Sequence, residues 1–180
     1  MSTIRAHESC VLVIDMQTGL LPAILDHDTV MTRARLLAQA AGLLGVPVLG
    51  TEHWADKIGP TDASMRGLID RIVPKTHFDA TREAEFHDAL PVGRHKVLLI
   101  GTEAHVCVLQ TGLGLADMGY APILVIDGIG SRKADDKAAA LNRWAHRGLE
   151  VISSEMALFE WMQTPAHPAF RDVLALIKSR

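Results

Sequence analysis

Asp15, Lys75 and Cys107 have side chains suited to covalent chemistry, and each ends or closely follows an apolar run. Cys107 lies in VLLIGTEAHVCVLQTGLGLADMGY, residues 97–120. Val97 to Ile100 read as a short buried strand, Gly101 breaks it, and Val106, Leu109, Leu113 and Ala116 follow at helical spacing. The thiol is therefore expected in the first turn of a helix, just past the carboxyl end of a strand. Free N–H groups and the positive end of the helix dipole favour a thiolate there. Several hydrolase folds present their nucleophile on such a corner. The competing reading is a small buried hydrophobe, the usual state of a free cysteine. Asp15 closes VLVID and Lys75 closes RIVPK. Asp15 either caps a turn or projects into a ligand crevice as a base. Lys75 is either a solvated surface group or a charge partner. Acting together, the carboxylate takes the thiol proton and the ammonium favours both anions.

These residues need elements that bring them to one place. Strands are predicted at Cys10–Asp15, Val46–Thr51, Arg71–Lys75, Lys96–Gly101, Pro122–Asp127 and Glu150–Ser153. Helices are predicted at Val30–Leu44, Arg82–Leu90, His105–Met118, Ala134–Arg147, Glu155–Met162 and Pro168–Lys178. Apolar strands separated by helices imply a parallel sheet covered on both faces, an α/β three-layer sandwich. In such sheets ligands bind beyond the carboxyl strand ends, where the strand order reverses. Asp15, Lys75 and Cys107 all fall at that edge.

The 180 residues suit one domain spanning 1–180. The hydrophobic share is 48%, ordinary for a globular protein, and the formal net charge of −3 gives no pull towards nucleic acid or membrane surfaces. The first residues, MSTIRAHESC, lack the apolar core of a signal peptide. Two cysteines, Cys10 and Cys107, make no disulfide framework, so a cytoplasmic, reducing setting is expected.

With the three residues in these contexts, the chain resembles the isochorismatase-like cysteine hydrolases over nearly its whole length. The segments that carry the resemblance are VLVIDMQTGLLP, TEHWADKIGPT, VPKTHFDA, GTEAHVCVLQT, DGIGSRKADDKAAAL and AHPAFRDVLALIK. The last two are similar to the branch of small isochorismatase-domain hydrolases rather than to nicotinamidases. The resemblance implies a six-stranded parallel sheet in a Rossmann-like isochorismatase fold and an Asp–Lys–Cys triad at Asp15, Lys75 and Cys107. It implies a cis peptide between Thr102 and Glu103, and an oxyanion hole made by the backbone N–H groups of Glu103 and Cys107. It also implies homo-oligomers, dimers or larger, and the apolar tail around Leu158, Phe159 and Trp161 is a candidate subunit face.

Departures from the family narrow the chemistry. True isochorismatases resemble this chain but lack a cysteine at the matching position. Nicotinamidases carry a metal-binding Asp-x-His motif where this chain reads Thr51-Glu52-His53-Trp54, so no metal is expected at His53. Leu20, Leu21, Trp54 and Thr102 are candidate pocket residues, with Leu20, Leu21 and Pro22 forming an aliphatic wall after Asp15. The nine histidines are scattered without zinc-type spacing. His105, two residues before Cys107, points away from it on a helix and is assigned a structural role. Cys10 is assigned to the core. Gly112-Leu-Gly114 is no dinucleotide fingerprint and is read as close helix packing, and Asp127–Arg132 as a structural loop. The expected activity is hydrolysis of a small amide or related C–N bond through a Cys107 thioester, with no cofactor. The alternatives are isochorismate or another non-amide substrate on the same site, and a thiol sensor or scaffold in which Cys107 is oxidised.

Overall fold

An apolar run without polar alternation belongs in a sheet covered on both faces, and SCVLVI forms such a strand. β1 (Ser9–Ile14) is buried at every position. The computed structural model describes residues 3–179. Around β1 lie β2 (Val48–His53), β3 (Arg71–Lys75), β4 (Lys96–Thr102), β5 (Ala121–Gly130) and β6 (Glu150–Ile152), in the order β3-β2-β1-β4-β5-β6. Every pairing is parallel. The order reverses between β1 and β4, so the ligand crevice of such a sheet opens at their carboxyl ends. The expected six-stranded α/β sandwich is the observed fold.

The helices are α1 (His27–Leu43), α2 (Ala55–Ile58), α3 (Ala63–Arg66), α4 (Ala84–Ala89), α5 (Leu109–Asp117), α6 (Ala134–His146), α7 (Ser154–Met162) and α8 (Phe170–Lys178). Alternation along β1 sends Val11 and Val13 into one apolar layer, with Leu37 of α1, Leu158 and Trp161 of α7 and Val173 of α8. Cys10, Leu12 and Ile14 enter the other layer, with Phe86 of α4, Leu115 of α5 and Trp144 of α6, and Cys107 belongs to this layer too. Cys10 is a core residue, as expected. Gly112 meets the Trp144 ring so closely that an added Cβ would lie 2.2 Å from it, which is the close packing read from Gly112-Leu-Gly114. Leu158 and Trp161 are buried in their own layer and offer no subunit face. Only Phe159 of that trio is exposed, with Met156 on the same helix.

Some elements differ from the expected ones for local reasons. β5 runs on through Gly128, Ile129 and Gly130, with a shift in register that pairs Ile129 with Gly101 and Gly130 with Thr102. Hydrogen bonds fix this irregular stretch: Lys137 Nζ donates to the carbonyls of Ile126 and Ile129, each at 2.8 Å. The Asp127 carboxylate accepts the Ser154 N–H at 2.8 Å and its hydroxyl at 2.6 Å. Two glycines made this stretch look like a loop. The helix expected from His105 begins instead as a π-helix over Ala104–Val108 and becomes regular only in α5. Residues 82–90 divide between a 3₁₀ turn, Ala80–Arg82, and α4. α2 and α3, of four residues each, are too short to show a period.

Candidate active site

The first strand delivers Asp15, the candidate base. Asp15 follows β1 with φ at +50°, a left-handed conformation that costs a non-glycine residue energy and is common where function demands it. Several hydrogen bonds hold it. Its carboxylate Oδ1 accepts the Thr51 hydroxyl at 2.7 Å, and its carbonyl accepts the Thr102 hydroxyl at 2.5 Å and the Gln17 N–H at 2.8 Å. Its own N–H donates to the Thr51 carbonyl at 3.2 Å.

Lys75 ends β3, where the register sets it opposite His53 of β2. Its Nζ lies 2.7 Å from Asp15 Oδ2, and neither side chain reaches solvent. The same ammonium donates to the His77 carbonyl at 3.2 Å. An ion pair withdrawn from water in this way tolerates no missing partner.

Cys107 sits in the π-helix, 4% exposed. The wide turn is closed by the Glu103 carbonyl, which accepts N–H groups from Val106 at 3.0 Å and Val108 at 3.3 Å. Single π turns are frequent at functional sites. The thiol lies close enough to Asp15 and Lys75 for both charges to act on it. The structure therefore brings together the three residues singled out in the sequence. It corrects their expected electrostatics. Burial, followed by the Asp15 charge, pushes the thiol up to about 12, and Lys75 offsets this only in part. The Cys107 thiol, the candidate nucleophile, therefore rests protonated rather than as a thiolate, because desolvation outweighs the helix dipole.

Glu103 departs from expectation as well. No described peptide bond is cis. Thr102 stays in the ladder opposite Gly130, and Glu103 has φ −51° and ψ 111°, reached through an ordinary trans bond. The turn that was to aim the Glu103 N–H at the pocket is therefore absent. The Glu103 carboxylate instead pairs with Arg132, Nε lying 2.7 Å from Oε1, and Oε2 lies 3.4 Å from His105 Nδ1. His105 Nδ1 is also 3.0 Å from the Ser131 hydroxyl. His105 thus ties the Cys107 turn to the β5–α6 connection, the structural role assigned to it.

The candidate pocket residues divide. Thr102 holds the Asp15 backbone. Trp54 has a left-handed φ of +43°, donates its N–H to the Lys75 carbonyl at 2.9 Å and is half exposed. It lines a cavity of about 330 Å³ with Glu52, Pro74, Lys75 and Glu83. Leu21 faces a different cavity of about 300 Å³, with Thr18, Met31 and Asp62, which no triad residue lines. Leu20 is half-buried at the start of the same turn. A larger cavity of about 470 Å³ lies between Leu90–His95 and Met118–Tyr120, at the amino edge of the sheet and away from the triad.

Sequence reasoning missed Thr51, Gln17 and the placement of His53. Gln17 extends the frame beyond β1: its Oε1 accepts the His53 N–H at 2.7 Å, while its Nε2 donates to the carbonyls of His53 at 3.0 Å and Gly59 at 2.6 Å. His53 is 9% exposed, and its ring centroid lies 5.2 Å from that of Phe78. Only the β1–β2–β3 register reveals these neighbours.

A family model described as the isochorismatase domain matches residues 9–156. Isochorismatase domain-containing protein 1 of Salmo salar is 35% identical over 167 residues, covering 92% of this chain. The chain spans only 59% of the length of that relative. Isochorismatase domain-containing protein 2 of Rattus norvegicus is 32% identical over 173 residues, covering 95% of this chain and 82% of the relative. Among solved structures, one described as the MAR1 ribonuclease of Caenorhabditis elegans superposes with a TM-score of 0.92 at 29% identity, covering 98% of this chain and 92% of that one.

Two expectations test this geometry. Lys75→Met leaves the Asp15 carboxylate buried and unpaired, which typically costs about 3–5 kcal/mol. Urea denaturation should show that loss, and adding Asp15→Asn to Lys75→Met should restore much of it. Equal stability of parent and Lys75→Met would mean that the pair is solvated. Because the Cys107 thiol is raised to about 12, its alkylation by iodoacetamide should climb about tenfold per unit from roughly pH 7 to pH 10. A rate already flat near pH 8 would show a low-pKa thiolate instead.

Proposed function

The chain belongs to the isochorismatase family, and on that premise we propose that it is a cysteine hydrolase acting on a small, mostly uncharged primary amide or a related C–N bond. The observation that carries this reading is the Cys107 thiol beside the buried Asp15–Lys75 ion pair, close enough for both charges to act on it. A protonated thiol beside a carboxylate suits attack coupled to proton transfer.

Asp15 takes the thiol proton as the sulfur bonds to the substrate carbonyl carbon. The carbonyl oxygen becomes an oxyanion, held by backbone N–H donors. The resemblance names those of Glu103 and Cys107. With the 102–103 bond trans, we assign the principal share to Cys107. Asp15 returns the proton to the nitrogen, the C–N bond breaks, and ammonia or an amine leaves with a thioester behind it. Asp15 then draws a proton from water, the hydroxide oxygen attacks the thioester carbon, and the acid departs as sulfur regains the proton. Lys75 keeps Asp15 in place and balances its negative charge throughout. No organic cofactor takes part in these steps.

Thr102, Trp54, Leu20 and Leu21 remain the proposed pocket residues, with Leu21 the least supported because its cavity lies apart from the triad. One hydrolase domain over 1–180 suffices for this chemistry. We propose self-association through exposed apolar residues such as Met156 and Phe159 of α7. A reducing, cytoplasmic setting fits two unpaired thiols, one of them the nucleophile. The Caenorhabditis elegans structure is described as a ribonuclease, but the formal net charge of −3 on this chain favours no polyanion. Among the described residues no helix is long and apolar enough to cross a membrane. We assign neither a nucleic-acid nor a membrane partner.

Ammonia release across a panel of short aliphatic and aromatic primary amides tests the proposal, with isochorismate conversion run beside it. At least one amide should be turned over. Cys107→Ala should abolish that turnover, and Asp15→Asn should lower it by about 10²–10⁴-fold. Isochorismate conversion without ammonia from any amide would overturn the substrate class. An active Cys107→Ala variant would overturn the nucleophile.

A further inference from the structure

Three buried side-chain atoms among the described residues lack a hydrogen-bond partner: Asp15 Oδ2, Glu103 Oε2 and His53 Nδ1. All three belong to residues at the carboxyl edge of the sheet. Two have charged neighbours, since Lys75 Nζ lies 2.7 Å from Asp15 Oδ2 and His105 Nδ1 lies 3.4 Å from Glu103 Oε2. His53 Nδ1 has neither a hydrogen bond nor an ion pair among the described residues. Native structures rarely leave such an atom unpaired, and one at a functional edge calls for an explanation.

His53 is placed for a purpose. It pairs in register with Lys75 on the neighbouring strand, so their side chains leave the sheet on the same face. That is the face of Val73, Leu49 and Cys107. Lys75 and Asp15 are both close enough to bear on its charge. The Phe78 ring lies against it at 5.2 Å, and the Gln17 side chain holds its backbone at both the N–H and the carbonyl. A ring so confined cannot swing out to find a partner in water. Burial, and then the Lys75 charge, push its pKa down, so the imidazole is neutral at neutral pH and one ring nitrogen is an acceptor.

A bound primary amide presents one acceptor oxygen and two N–H donors. Backbone N–H groups serve the oxygen. The donors need acceptors, and both Asp15 oxygens are engaged, by Thr51 and Lys75. We infer that His53 is a substrate-binding residue whose unpartnered Nδ1 accepts a hydrogen bond from the –NH2 of a primary carboxamide, selecting that class over esters. This rests on the amide-hydrolase reading and specifies its selectivity. It also gives His53 a role that needs no metal ion.

The test compares carboxamide and ester forms of the same acyl group in the parent, His53→Leu and His53→Asn. Leu fills the space without an acceptor, whereas the Asn amide oxygen can stand near the Nδ1 position. The first readout is the ratio of kcat/KM for butyramide, benzamide and nicotinamide to that for their methyl esters. Loss of one buried hydrogen bond predicts a fall in that ratio of about 10-fold or more in His53→Leu, with partial recovery in His53→Asn. The second readout needs no turnover. Intact-mass spectrometry follows alkylation of Cys107 by acrylamide and by methyl acrylate, each rate divided by that of a free thiol. The parent should favour acrylamide, His53→Leu should lose that preference, and His53→Asn should regain part of it. A parent without the preference, or a His53→Leu variant that keeps both ratios, overturns the inference. If amides are turned over while both ratios ignore His53, the hydrolase reading stands and this assignment falls. If no amide is turned over but the acrylamide preference depends on His53, the carboxamide site stands and the hydrolysis reading falls.

Discussion

The ion pair between Lys75 and Asp15 is the constraint on which the site depends. Both side chains are withdrawn from solvent, at 2.7 Å from each other. Removing two charges from water costs several kcal/mol per ion, so the pair persists only with good geometry and further hydrogen bonds. Thr51 and His77 supply those bonds, and Thr102 holds the Asp15 backbone. Each comes from a different segment, so the pair works only if β1, β2, β3 and β4 end in register. Well-packed hydrophobic residues would give the same fold at less electrostatic expense, and retention of a charged pair there points to chemistry rather than to stability.

The same burial explains the state of the Cys107 thiol. A thiol at a helix start in water would lose its proton readily. Here it lies among apolar neighbours with a carboxylate beside it, and the proton stays on sulfur. In the proposed mechanism Asp15 removes that proton during attack and returns it to the leaving group. A single carboxylate can serve both steps only if it is held rigidly, and its left-handed backbone with hydrogen bonds to Thr51, Thr102 and Gln17 provides that rigidity.

The parallel sheet and the meeting of Asp15, Lys75 and Cys107 were legible in the sequence because both rest on local patterns. Strands buried on both faces read as unbroken apolar runs, and each triad residue ends or follows one of them. What stayed hidden depends on register between strands distant in sequence. Thr51 meets Asp15 because β2 lies beside β1 in one specific alignment, and His53 comes beside Lys75 only through the pairing of β2 with β3. The π turn at Cys107 was hidden because its apolar spacing differs little from that of an α-helix over five residues. Gly128 and Gly130 hid the end of β5, since glycine in a strand reads as a break. The trans bond before Glu103 overturned an expectation taken from resemblance rather than from these residues.

The central claim is that Cys107 carries an acyl group between two halves of the reaction. Intact-protein mass spectrometry after acid quench tests it directly, with the protein sampled during incubation with a mixture of primary amides. The account predicts a mass increase equal to one acyl group, mapped to Cys107 by peptide sequencing, lost on treatment with hydroxylamine and absent from Cys107→Ala. Steady ammonia release with no adduct in the parent, persisting in Cys107→Ala, would contradict it.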